Sequence, residues 1–254
     1  MKNTLAKIAE LLDTAARKAI AVDQVSKTTP ISLDDAYAIQ ALSIDHRLAR
    51  GESMTGYKMG FTSKAKMEQM GVHDVIWGRL TDQMAITDDG ISLDKGIHPR
   101  IEPEIAFRIK RTIDHLISLD NVLDYIDGIA GALEMIDSRY ENFKFSLEDV
   151  VADNCSSAGY VIGPWHSPDT QCNHVPIELI INGETAQSGN SHAILGNPLE
   201  SLVEASKMMM KYNHTIPAGS IVLAGAATSA VFLKSSDRVE ATFGHLGSVT
   251  SYVK

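Results

Sequence analysis

The chain is poor in cysteine, with Cys155 and Cys172 alone among its 254 residues. They lie too far apart for a CxxC unit and are too few for a disulfide scaffold, so we interpret them as small buried or incidental thiols. No apolar run approaches the ~18 to 20 residues of a membrane span. Residues 1–25 carry acidic side chains among the apolar ones and lack a signal-peptide core. These absences predict a cytoplasmic protein.

Positive charge is also scarce, because 23 Lys and Arg face 32 Asp and Glu, which gives a net charge of -9. Such a surface repels nucleic acid and anionic membranes, and we expect neither as a partner. An anionic substrate must therefore be bound by local cations or by a metal.

Hydrophobic periodicity predicts a chain that begins with helices and becomes richer in strands. Ser32 is a candidate N-cap, Ser63 can cap a short helix, and Asn182-Gly183 is a hairpin signal. The predicted helices cover 3–21, 32–50, 63–71, 121–130 and 199–212. The predicted strands lie within 55–62, 75–84, 100–109, 131–137, 159–163, 177–183, 220–224 and 238–243.

The chain shows no linker or repeat, so we predict one structural unit of the α+β class. Its helical N-terminal part, residues 1–75, would pack on a mixed β core of residues 76–254.

The most informative stretch runs from His98 to Phe107, because Glu102 and Glu104 interrupt an apolar run two residues apart. In a strand this spacing directs both carboxylates to one face, where they could bind a hard cation. An alternating strand with one solvated face has the same pattern. Pro103 cannot donate to a ladder, which predicts an edge or a bulge at this point.

Glu134 is a lone carboxylate among apolar residues, and burying it is costly unless it is paired or bound to a cation. A salt bridge and metal ligation both satisfy this requirement. With Glu102 and Glu104 it would complete an oxygen-only set suited to Mg²⁺, with Mn²⁺ as the alternative.

Three further features could contact a substrate. Lys58 lies in a glycine-bracketed strand, although its side chain could also extend to solvent. The polar stretch 153–157, which includes Asp153, could bind a carboxylate or could reflect turn chemistry. The small-residue loop 223–229, which includes Thr228, allows close approach of a ligand to the backbone. His98 and His245 suit structural roles, and no Ser-His-Asp set or GxSxG motif is present.

Six separated stretches together resemble the hydratase/decarboxylase branch of the fumarylacetoacetate hydrolase superfamily, over about residues 30–253. They are Tyr57–Ser63, Met70–Val72 with Ile76–Asp82, His98–Phe107, Ala132–Arg139, Asp153–Ser157 and Glu240–Ser248. The resemblance implies a mixed β-sheet roll or sandwich, oligomers, and association of the decarboxylase with the hydratase.

The resemblance also implies roles for individual residues. Glu102, Glu104 and Glu134 would bind Mg²⁺, Lys58 would be the family lysine, and Ser157 would contact the substrate. The expected reaction is decarboxylation of 2-oxohex-3-enedioate, a small dicarboxylate 2-oxo acid of aromatic meta-cleavage catabolism, to 2-hydroxypenta-2,4-dienoate.

In our hypothesis the cation binds the 2-oxo acid end of the substrate and accepts electrons as CO₂ leaves, so no protein nucleophile is needed. Arg79 is a weaker candidate for steering the departing carboxylate. Two alternatives stay open: a 2-hydroxypenta-2,4-dienoate hydratase, and a noncatalytic partner subunit of a decarboxylase–hydratase complex.

Overall fold

The computed structural model describes residues 2–63, 75–87 and 90–254. In these ranges the longer helices are α1 (Lys2–Lys18), α2 (Leu33–Ala49), α3 (Leu147–Ala152) and α4 (Glu200–Lys211). The strands are β1 (Met54–Gly60), β2 (Ile76–Thr81), β3 (Arg100–Ile109), β4 (Ile126–Ile136), β5 (Ser157–Ile162), β6 (Pro176–Ile181), β7 (Glu184–Asn190), β8 (Ile221–Ala226), β9 (Val231–Phe232), β10 (Arg238–Thr242) and β11 (Ser248–Tyr252). The short helix predicted after Ser63 lies outside the described residues.

The strands form two sheets. The larger sheet has the order β2-β1-β8-β3-β4-β5, with β9 paired to β3, and the smaller has the order β11-β10-β6-β7. The β1–β8 pair is parallel and its neighbours are antiparallel, so the larger sheet is mixed. The predicted α+β class with a mixed sheet and a helical N-terminal part is therefore confirmed.

The two sheets pack face to face where the side chains are small. A Cβ on Gly131 of β4 would lie 2.3 Å from the ring of Phe243, which follows β10. Gly163 likewise packs against Val249 of β11. Glycine at these positions lets the smaller sheet approach the larger one closely and encloses the core between them.

The helices cover the β1–β2 end of the larger sheet. Ser32 and Asp35 form the capping box of α2, which confirms the predicted start of this helix. The buried side chain of Gln40 donates to the carbonyls of Trp77 in β2 and Val151 in α3. One amide thus connects α2 to a strand and to another helix.

One local prediction is wrong, and the prediction of an edge or a bulge at Pro103 is confirmed in its second form. Residues 121–130 form a short 3₁₀ turn and the first half of β4, because an apolar run buried on both faces resembles a helix in its periodicity. Pro103 does not lie in an edge strand, since β3 pairs with β4 on one side and with β8 and β9 on the other. The alternative of an irregularity is confirmed by the shift in register between Glu104 and Ala106.

The Asn182-Gly183 hairpin is confirmed, because both residues have positive φ and connect β6 to β7. The boundary at residue 75 stays a prediction, although β1, which precedes it, lies within the larger sheet. Among the helices that the structure describes, none has the length and apolar character to cross a membrane.

Candidate metal centre

Three glutamates from two adjacent strands meet on one face of the larger sheet. Glu102 and Glu104 are alternate residues of β3, and Glu102 lies directly opposite Glu134 of β4. Their exposed fractions are 4%, 0% and 0%. The solvated-face interpretation of this strand is therefore wrong, and the pair lies on a buried face.

The three carboxylates have the geometry of a cation site. One oxygen from each lies within 4.8 Å of the others. Oε1 of Glu104 and Oε1 of Glu134 are buried without a hydrogen-bond partner in the described part of the chain. Buried acceptors that lack partners are costly, and a divalent cation with a preference for oxygen would satisfy them. The donor set therefore fits Mg²⁺ or Mn²⁺.

Lys58 lies beside this cluster. Its Nζ is 2.9 Å from Oε2 of Glu134 and donates to the carbonyl of Cys155 at 3.4 Å. The residue is 4% exposed, so the interpretation in which it extends to solvent is wrong. Glu134 thus forms a salt bridge and also belongs to the potential ligand set, so both explanations of its burial apply.

The buried charges shift the pKa values of their neighbours. Burial raises the pKa of Glu104 well above its usual value, and the negative charge of Glu134 adds to the shift. Burial also raises the pKa of Glu134, although Lys58 opposes it. Burial by itself lowers the pKa of Lys58, but the carboxylates Glu134, Glu102 and Glu104 together outweigh it and raise that pKa. The three glutamates and Lys58 together carry two negative charges, which one divalent cation would neutralise.

Gly225 of β8 orients Glu104, one of the three candidate ligands. Its N–H donates to Oε2 of Glu104 at 2.8 Å, and its φ of +107° is in the region that favours glycine. A Cβ at this position would lie 2.0 Å from Oγ1 of Thr62. The small-residue loop predicted near 223–229 therefore does allow a close backbone approach, here to a glutamate.

The turn before β5 lies beside the cluster, because the Cys155 carbonyl accepts from Lys58. Asn154, Cys155 and Ser156 all have left-handed φ values, which cost about 1–2 kcal/mol per residue. The Asn154 side chain stabilises the turn, since it accepts from the backbone N–H of Arg79 and donates to its carbonyl. Burial raises the pKa of Cys155 to about 12, so its thiol is not a nucleophile at neutral pH.

The Asp153 carboxylate pairs with Arg139 at the start of this turn. The backbone N–H and Nε of Arg139 both donate to it, and another guanidinium nitrogen donates to the Ser157 carbonyl at 3.1 Å. This pair connects the end of β4 to the turn. It uses both oxygens of Asp153, so the structure does not bring that residue to a substrate.

A cavity of about 620 Å³ opens beside the metal centre. Lys58, Glu102 and Ser156 are among the residues that line it. Its other walls include a group of aromatic and basic side chains: Phe61, Arg100, Phe143, Lys144 and Phe145. This volume suits a small organic acid.

The remaining predicted site residues, Ser157, Arg79 and Thr228, are not among the residues that line this cavity. Oγ of Ser157 lies 3.0 Å from the Cβ position of Gly78, which pairs with Lys58, so Ser157 is on the Lys58 face of the sheet. Arg79 pairs with Tyr57 and therefore points to the opposite face, where it bonds to Gln40 and stacks on Trp77. The Thr228 methyl group approaches Gly189, whereas its neighbours Ser229 and Ala230 line the cavity.

Sequence reasoning did not identify Ser156, Arg100 or Gly225. Ser156 is adjacent to the predicted serine, and only the left-handed turn determines which hydroxyl enters the cavity. Arg100 had a recognisable signal, because it is two residues before Glu102 in the same alternating strand. Gly225 lay in a recognised loop, but no local pattern indicated that its partner would be Glu104.

The larger sheet carries a buried carboxylate triad, a lysine beside the triad and a cavity next to both. This combination defines the class of metal-dependent enzymes that act on small acids. Residues 55–254 match the family described as fumarylacetoacetate (FAA) hydrolase C-terminal. The chain belongs to the fumarylacetoacetate hydrolase family.

Within this family, the chain is similar to decarboxylases and to hydratases. The chain is 42% identical to a 4-oxalocrotonate decarboxylase of a Pseudomonas species over 97% of this chain and 96% of the relative. It is 33% identical to a 2-keto-4-pentenoate hydratase of Paraburkholderia xenovorans strain LB400, over 86% of this chain and 83% of that one. The structure of 4-oxalocrotonate decarboxylase from Pseudomonas putida G7, complexed with magnesium and adipate, superposes with a TM-score of 0.96 at 34% identity, covering 100% of this chain and 98% of that chain.

Proposed function

We propose that this protein is a Mg²⁺-dependent carboxy-lyase that converts 2-oxohex-3-enedioate to 2-hydroxypenta-2,4-dienoate and CO₂. The observation that carries the proposal is the buried triad Glu102, Glu104 and Glu134, with the Nζ of Lys58 2.9 Å from Glu134. Glu102 and Lys58 line a cavity of about 620 Å³. The decarboxylase relative with 42% identity supports the same reaction.

The reaction requires a place for electrons and no protein nucleophile. The C5–C6 bond breaks, its electron pair forms the C4–C5 double bond, and the C3–C4 pair moves to C2–C3. The carbonyl pair then moves onto the 2-oxo oxygen, which a proton converts to the hydroxyl. Glu102, Glu104 and Glu134 would hold Mg²⁺, which would supply positive charge to stabilise the oxyanion that develops at the 2-oxo group.

The protein's own groups hold the substrate in this arrangement. The Nζ of Lys58 donates to the 2-oxo oxygen as it gains negative charge, which favours the transition state over the ground state. The hydroxyls of Ser156 and Ser157 are both buried without a partner in the described part of the chain, and of the two residues Ser156 lines the cavity. Each hydroxyl is a free donor for the 1-carboxylate once the substrate is bound. We assign Ser157 the substrate-contacting role that the family pattern implies.

The test is to incubate the purified protein and Mg²⁺ with 2-oxohex-3-enedioate and, separately, with 2-hydroxypenta-2,4-dienoate. Release of CO₂ from the first substrate is expected, together with loss of activity in excess chelator. Turnover of the second substrate alone would overturn the proposal in favour of the hydratase, which relatives at 33% identity keep as the second candidate. Turnover of neither substrate would favour the noncatalytic alternative, which the intact cluster of Glu102, Glu104, Glu134 and Lys58 argues against.

The assembly and location of the protein belong to the same proposal. We expect a cytoplasmic homo-oligomer that associates with the pathway hydratase, because the family resemblance implies both self-association and binding to the hydratase. Light scattering of the purified protein and co-elution with the hydratase are the measurements. A monomer that elutes apart from the hydratase at micromolar concentration would contradict both expectations.

A further inference from the structure

Arg100 is a cation at the cavity that the reaction described above does not use. It is the first residue of β3, on the same face as Glu102 and Glu104, because alternate residues of a strand share a face. It lines the cavity together with Glu102. Two residues along a strand span about 6.6 Å, so its Cα lies about that far from the first metal-binding glutamate.

Arg100 forms no ion pair within the described part of the chain, and its Nε is buried there without a hydrogen-bond partner. Burial lowers the pKa of its guanidinium, and the negative charge of Glu102 opposes that shift without cancelling it. The rings of Phe143 and Phe232 each lie 4.1 Å from its Cζ. These contacts hold a guanidinium group by its faces and leave the in-plane N–H donors available.

The charge balance of the cavity indicates what those donors bind. With all four groups ionised, the triad, Lys58 and a divalent cation sum to zero, so together they offer no excess positive charge to a second carboxylate. The cavity that would hold the substrate is lined by Glu102 and by Arg100, so a cation is present there for a second carboxylate. Arginine also presents a planar pair of donors that fits a carboxylate.

We propose that Arg100 binds the distal carboxylate of the substrate and so makes the cavity selective for six-carbon dicarboxylates. The inference rests on the proposed function for the identity of the substrate. It adds the residue that distinguishes a dicarboxylate from a monocarboxylate of the same length. The Phe143 and Phe232 rings hold the guanidinium in position.

The test compares 2-oxoadipate with 2-oxohexanoate, which differ in the distal carboxylate alone. Both are titrated calorimetrically into Mg²⁺-loaded wild-type, R100M and R100K proteins, with R111M as the matched control, because Arg111 is an exposed arginine that stacks on Tyr125 and does not line the cavity. We expect wild type and R111M to prefer 2-oxoadipate by tenfold or more. R100M should lose most of that preference, with its affinity for 2-oxohexanoate unchanged, and R100K should retain part of it.

Three outcomes would overturn the inference: a wild-type protein without the preference, an R100M protein that keeps it, or equal weakening of both ligands in R100M. If R100M does not fold, R100K gives the answer, since it keeps the charge and loses the paired donors. The failure of the proposed function is separate, because binding of 2-oxoadipate through Arg100 without CO₂ release from 2-oxohex-3-enedioate would reject the reaction and leave the selectivity.

Discussion

At the scale of single residues, Glu134 takes part in two interactions of the site. It pairs with Lys58, and it lies opposite Glu102 across β3 and β4 in the carboxylate cluster. Removing its charge leaves Lys58 buried beside two carboxylates and removes one oxygen ligand of full charge. The loss of the Glu134 charge should therefore weaken metal binding first.

We predict that Glu134→Gln lowers the affinity for Mg²⁺ by about tenfold or more, since even residues that only support a metal ligand are typically worth 10–100-fold. Titration calorimetry of the metal-free protein measures it. The control is Asp127→Asn, which removes an exposed carboxylate of the same strand paired with Arg108. Equal Mg²⁺ affinity in the two variants would remove Glu134 from the ligand set.

Lys58 should separate catalysis from metal binding. Its ammonium lies among the carboxylates, so replacing it with the neutral Lys58→Met side chain cannot weaken Mg²⁺ binding through lost attraction. The rate of CO₂ release should fall by about 100-fold or more, as expected for the loss of one donor to a developing oxyanion. Lys207→Met, on the exposed face of α4, is the control. A variant that binds Mg²⁺ and retains the wild-type rate would exclude Lys58 from the reaction.

At the scale of elements, the site depends on contacts between strands that are distant in sequence. Alternation along β3 is enough to predict from the sequence that Glu102 and Glu104 share one face. The register that sets Glu102 opposite Glu134 was not predictable, because it depends on how the connection to β4 closes. The first half of β4 was mistaken for a helix for a related reason: burial on both faces removes the alternation that identifies a strand.

The contact between β8 and β3 requires a glycine at position 225. We predict that Gly225→Ala destabilises the protein by roughly 1–3 kcal/mol and weakens Mg²⁺ binding, because its Cβ meets Thr62 and its N–H leaves Glu104. Urea unfolding and Mg²⁺ titration measure the two effects.

Gly219→Ala supplies the matched control. Its φ of +87° imposes a similar backbone strain, but nothing lies within 4 Å of the new Cβ and the residue is remote from Glu104. We expect a loss of stability without a change in metal affinity. If both variants bind Mg²⁺ equally well, the Gly225 N–H has no part in orienting the ligand.

At the scale of the whole molecule, the larger sheet joins features that sequence patterns identified separately. Lys58 comes from β1, the glutamates from β3 and β4, and the polar turn from the start of β5. Each was recognisable as an unusual polar residue in an apolar stretch. Their convergence follows from the strand order, in which β8 lies between β1 and β3, and nothing in the local sequence encodes that insertion.

The same convergence makes the metal part of the stability of the fold. Without it, three buried carboxylates lie close together, and burial opposes the ionisation of Glu104 and Glu134. A ligand that binds the folded state alone at 100 times its Kd adds about 2.7 kcal/mol. For a chain of this size, 1 kcal/mol corresponds to about 2–4 °C, so saturating Mg²⁺ should raise Tm by about 5–10 °C over the chelated protein.

Calorimetric scans with Mg²⁺, and with Na⁺ at equal ionic strength, measure the difference. The shift should be much smaller in Glu134→Gln and unchanged in Asp127→Asn, and a wild-type Tm that Mg²⁺ does not move would show that these carboxylates balance their charge without a cation.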